Sequence, residues 1–131
     1  MEHSYRLRRI VSRIPHVAEV AVRVGACAHD EVVVSDEVFA WRRDLYGPQA
    51  VSGGPGDQEL VAEAVEGVRY VLVRRGHSSG RLVTVTRILD TPVDTGPGDV
   101  RFAAVMAACQ ALEVELDHPP FIDASGAVFP D

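Results

Sequence analysis

The chain has 131 residues, 47% of them apolar, and a net charge of −6. That length suits one domain with its own hydrophobic core. The acidic balance argues against general affinity for nucleic acid or anionic membranes. No apolar run reaches the roughly 18–20 residues that a membrane span needs.

The opening residues, MEHSYRLRRIVSRIP, lack a signal peptide's apolar core and small-residue cleavage site. A cytoplasmic location is therefore expected, with no membrane partner. Cys27 and Cys109 are then expected as free thiols rather than a disulfide. Residues 1–16 read as an N-terminal segment, 17–112 as the core, and 113–131 as a docked tail.

Within 5–14 the pattern is ambiguous. Leu7, Ile10, Val11 and Ile14 fit a helical stripe, while Tyr5, Leu7 and Arg9 alternate as in a strand. A helix or mixed segment is the preferred reading, closed by Pro15. Residues 17–28 form a Val-rich strand, and His29-Asp30 a turn. Residues 31–39 form a second strand, and the short spacing predicts an antiparallel hairpin. Residues 41–46 form a loop or short helix, with Trp41 and Tyr46 covering a core edge. Gly47 to Gly56 is a loop.

Residues 57–75 form the clearest amphipathic helix. Leu60, Val61, Ala64, Val65, Val68, Val71 and Leu72 share one stripe. Asp57 is the expected cap, Arg74 and Arg75 suit the dipole, and Gly76 is the expected C′ residue. Gly67 inside this helix permits close packing. Residues 82–89 form the central strand, with Leu82, Thr84, Thr86 and Ile88 on one face. Val83, Val85, Arg87 and Leu89 take the other. Thr91-Pro92 ends it. Thr95 or Gly96 is the expected cap of a nearly all-apolar helix from Val100 to Leu112, with Asp99 at its positive end. In the tail, Phe121-Ile122 and Ala127-Val128-Phe129 bracket a turn at residues 123–126. Their apolar side chains need a bed, either the bare side of the sheet or a second copy.

These elements predict a two-layer α+β sandwich, a mostly antiparallel sheet with both helices on one face. From Glu66-Gly67-Val68, Val83-Thr84-Val85-Thr86, Leu89-Asp90, Val93-Asp94-Thr95 and the Ala-rich helix, the chain resembles domain IV of translation elongation factor G. The resemblance spans about residues 57–112. It implies a left-handed crossover from the strand near 31–39, through the helix, to the strand at 82–89. In that family the loop from strand to helix carries a Tyr-His pair that approaches the ribosomal decoding site. Here the loop at residues 90–94 has no His, and without Lys no GTP-binding phosphate loop can exist.

Candidate chemistry is sparse. Cys27-Ala28-His29 lacks a second ligand pair, so a polar turn is expected rather than a metal site. His77-Ser78-Ser79 lacks the context of a nucleophile elbow. Asp90 and Asp94 could pair as acid and base across their corner, although turn-making accounts for both. His29, His77, Asp90 and Asp94 are thus the candidate polar site. Arg6, Arg9, Arg13, Arg42 and Arg43, together with Arg8, are the candidate patch for RNA or a protein partner. No cofactor is expected. The leading expectation is a non-enzymatic domain for partner binding or self-assembly, with a homodimer through the tail. The alternatives are a small enzyme with a His-containing cleft, and a ribosome- or RNA-associated factor.

Overall fold

The computed structural model describes residues 1–76 and 79–131. Its elements are β1 (Glu2–Val11), β2 (Ile14–Ala26), β3 (Glu31–Val34), α1 (Trp41–Tyr46), α2 (Pro55–Arg74), β4 (Arg81–Asp90), α3 (Asp99–Leu112), β5 (Phe121–Asp123) and β6 (Gly126–Val128). Four strands form the main sheet, in the order β1-β2-β4-β3. Both long helices cover one face of it. α3 lies over β1 and β2, and α2 over β3 and β4. The architecture is the expected α+β sandwich. Among the described residues, no helix is long and apolar enough to cross a membrane.

The N-terminal stretch corrects the helical reading. Residues 2–11 are a strand paired along its full length with β2, so the sheet begins at Glu2 rather than at residue 17. Leu7 is fully buried, and Tyr5 packs against the same core. Alternation won over the helical stripe because β2 supplies a partner for every residue of β1. Val11 and Ile14 are partners, so Ser12-Arg13 is a two-residue turn. Both have positive φ, 50° and 67°. A turn of this kind usually announces itself with Asn or Gly, and neither is present.

β2 and β3 are not a hairpin. β4 inserts between them, antiparallel to β2 and parallel to β3. β3 is also shorter than expected. Ser35 N–H still reaches the Val85 carbonyl at 2.9 Å, and residues 36–40 then turn. In β4 the expected alternation is reset. The register shifts where Ala21/Val22 face Arg87/Val85. This bulge lets Val83, Val85 and Ile88 all turn inward and be fully buried.

The hand of the crossover follows from Val85. Its carbonyl points to β3 while its side chain lies in the core beneath the helices. Because residues are L, a helix-facing residue on an upward strand turns its carbonyl to the right, seen from the helical side. β3 therefore lies to the right of β4. The chain leaves β3, passes over the helical face and returns leftward into β4. That is a left-handed crossover, the uncommon hand for parallel strands.

Two capping expectations are corrected. α2 is capped by Gly54 with Pro55 in its first turn, not by the Asp57 side chain. α3 is preceded by Gly98 in a left-handed conformation and has no side-chain cap. Gly76 has φ 80°, as a C′ glycine should. Gly67 sits at the crossing of α2 and α3, where a Cβ would meet the Arg101 carbonyl at 2.6 Å and Ala104 Cβ at 2.7 Å.

The tail also differs from expectation. It folds as a small β5–β6 hairpin, and it docks on the helical layer instead of the bare sheet. Phe129 meets the Tyr70 ring edge-on at 6.0 Å, and the Arg101 guanidinium lies 4.0 Å from the Phe129 ring centre. The Tyr70 hydroxyl donates to the Pro130 carbonyl.

Candidate interaction surface

The helices leave the opposite face of the sheet bare. On β1 the alternation turns Glu2, Ser4, Arg6, Arg8 and Ile10 to this face, because Leu7 and Tyr5 face the core. On β2 it turns Val17, Glu19, Ala21 and Arg23 the same way, since Ala18, Val20 and Val22 are core. Glu19 is largely covered and binds two guanidinium groups, Arg6 Nε at 2.8 Å and Arg87 Nε at 3.4 Å. Thr86 Oγ1 donates to Glu2 at 2.7 Å.

At the turn end of the β1–β2 hairpin this face opens into two adjoining shallow cavities. Arg8, Val17 and Asp94 line both. One, of about 330 Å³, extends along Arg6, Leu89 and Thr91. The other, of about 480 Å³, runs past Arg9, Ile10 and Pro15. Ile10 is 77% exposed on this face, while Ile14, 51% exposed, lies on the opposite face of the hairpin end. Arg8, Arg9 and Arg13 form no ion pair among the described residues.

The loop from β4 to α3 closes this end. Val17 N–H donates to the Asp94 carbonyl at 3.2 Å, and the Thr95 hydroxyl donates to the Val17 carbonyl. Thr91 N–H donates to Thr95 Oγ1 at 2.8 Å. Beneath the loop, His16 Nδ1 meets Asp99 Oδ1 at 2.8 Å. Asp99 Oδ2 accepts from Gly96 N–H at 2.8 Å. Asp99 is fully buried, so it does more than complement the helix dipole. The pair spans 83 positions, so no local pattern announces it.

The remaining candidates disperse. Arg42 is not part of an exposed patch. It holds Asp57 and Asp90, each at 2.8 Å, and its guanidinium lies 4.2 Å from the Phe39 ring centre. Burial opposes the charge on Arg42, but the two carboxylates outweigh it and raise its pKa. The hydrogen bond from Arg42 holds the Asp57 carboxyl below its ordinary range. Arg43 pairs with Glu37 at the surface. Asp90 is occupied by Arg42, and Asp94 belongs to the hairpin groove. His29 lines a separate cavity with Asp30, Arg69 and Leu72. It packs beside Gly80, at the other end of β4 from Asp90. Ten residues of strand put those ends about 30 Å apart. His77 lies outside the described residues.

Two further groups are perturbed. Burial pushes the Glu63 carboxyl up, against the hydrogen bond it accepts from Arg101 N–H. Burial pushes the Cys109 thiol up to about 11, which keeps it an unreactive neutral group. Among the described residues no three His, Cys, Asp or Glu side chains group as metal ligands would. No protein-family model matches the chain, and neither does any curated protein.

Proposed function

We propose that this chain is a non-enzymatic interaction module that binds a partner through the hairpin end of its bare sheet face. One observation carries this reading. Ile10 stands 77% exposed on that face beside Arg8, with Arg13 in the adjoining turn, and neither arginine has an ion-pair partner among the described residues of a chain that is acidic as a whole. Such a surface sets an exposed apolar side chain beside arginine, a residue enriched at protein interfaces. The competing His-containing cleft is weakened by the separation of His29 from Asp90 and Asp94.

Kinship with domain IV of elongation factor G is part of the proposal. The order β3-α2-β4-α3 and the left-handed crossover support it. The loop at 91–98 stands at the hairpin end, where that family approaches the ribosome. This favours a second reading, association with ribosomal RNA. Self-association is a third, favoured by Phe121, which stays 48% exposed on the docked tail.

A photo-cross-linking residue at position 10, compared with one at the exposed Val51, separates these readings in native cells. The module predicts a discrete protein adduct from position 10 and none from position 51. A nuclease-sensitive adduct would favour RNA, and one of doubled mass a second copy. No adduct from position 10 would overturn the proposal.

A further inference from the structure

The geometry points to the free edge of β1 as the docking site for an extended acidic segment of a partner protein, which adds to the sheet as a fifth strand. This inference rests on the interaction-module reading and specifies its mode.

Among the described residues, β1 is the edge of the sheet and pairs only with β2. It is ten residues long, whereas the opposite edge, β3, has four. Among the described residues, no backbone hydrogen bond outside the β1–β2 ladder involves residues 2–11. The chirality that fixed the Val85 carbonyl also applies here, because β1 runs in the same direction as β4. Helix-facing Tyr5, Leu7 and Arg9 turn their backbone groups toward β2. Ser4, Arg6, Arg8 and Ile10 therefore present theirs to solvent. An exposed row of alternating donors and acceptors is a template for another strand.

Charge selects the occupant. β1 carries three arginines and one glutamate, a net +2 (3 − 1) with His3 neutral. A second copy of β1 would bring +2 against +2. An acidic strand would instead set carboxylates opposite Arg6 and Arg8 on the bare face. RNA fits less well. It offers no matching row of amide donors and acceptors, and Asp94 in the groove repels phosphate.

The test uses the full ¹⁵N-labelled chain and three synthetic ten-residue peptides. One alternates Glu and Val, one alternates Lys and Val, and one is the Glu–Val peptide with alternate backbone amides N-methylated. The Glu–Val peptide should slow amide exchange at Ser4, Arg6, Arg8 and Ile10, and leave exchange at Tyr5, Leu7 and Arg9 as it was. The Lys–Val and N-methylated peptides should do neither. Arg8→Glu should weaken Glu–Val binding at least about tenfold, with amide dispersion confirming the fold. Protection absent at millimolar peptide, equal with the Lys–Val peptide, or already present without peptide at high protein concentration would each overturn the inference. A protein adduct from position 10 without peptide protection sinks only the strand mode. Loss of both sinks the module reading as well.

Discussion

Gly67 shows how one missing side chain sets the distance between two helices. Replacing it with Ala gains up to about 1 kcal/mol of helix propensity. The new Cβ would press on the backbone carbonyl of Arg101, which cannot rotate away. Overpacking of this kind costs about 1–3 kcal/mol. We expect Gly67→Ala to lower stability by about 1–2 kcal/mol in urea unfolding. A gain would show that α2 and α3 can separate. Arg13 is the opposite case. Its φ of 67° suits glycine, and a left-handed non-glycine residue costs about 1 kcal/mol. Arg13→Gly should raise the unfolding midpoint by a similar energy, less the entropy that glycine adds to the unfolded chain.

Among the elements, α1 and the start of α2 are fastened to β4 by Arg42. Trp41 adds to this clasp by donating its indole N–H to the Ile88 carbonyl at 2.6 Å. Arg42→Ala would leave Asp57 and Asp90 largely covered and without their cation. Removing one partner of such a cluster costs about 3–5 kcal/mol. We expect about 3 kcal/mol at pH 7, since both carboxylates keep some access to water. The pH dependence follows from Asp57, whose folded pKa lies below the ordinary 3.8. The native state then binds fewer protons, so its stabilisation is present above that value and is lost as pH falls through the folded pKa. The stability gap between wild type and Arg42→Ala should therefore shrink between pH 5 and pH 2. A constant gap in urea titrations would assign the cost to packing on Phe39 instead.

For the whole molecule, the tail is the outer layer on the helices. Gly98, with φ 87°, lies close under it, and a Cβ there would meet Ala127 at 3.1 Å. Ending the chain at Asp117 would uncover Tyr70 and strip Arg101 of the Phe129 ring. We expect a loss of several kcal/mol, as truncation of large aromatics and loss of two aromatic contacts suggest. Light scattering on the two forms tests self-association. A full chain that is dimeric, beside a truncated monomer, would support the tail interface. Two monomers would leave the tail a purely internal layer.

Local chemistry made much of this fold legible from the sequence. Residues 60–72 announce a helix because their apolar side chains recur at helical spacing, and 100–112 because almost nothing polar interrupts them. The tail hairpin showed in its turn residues. The two-layer α+β class followed from the order of those periods. The strand at 2–11 was not legible, because its stripe fits both periods and only a partner strand decides between them. Pairing of β3 with β4 was hidden for a related reason. Short spacing favours neighbours, and only the tertiary structure shows β4 inserted between β2 and β3. The same limit applies to the site. His16–Asp99 and the Arg42 clasp join residues far apart in sequence, and burial gives them their partners. The sequence alone determined which residues could carry charge or apolar surface. The tertiary structure decided which arginines are consumed internally and which remain at the free edge of β1, because ion pairing and edge exposure are properties of the packed sheet.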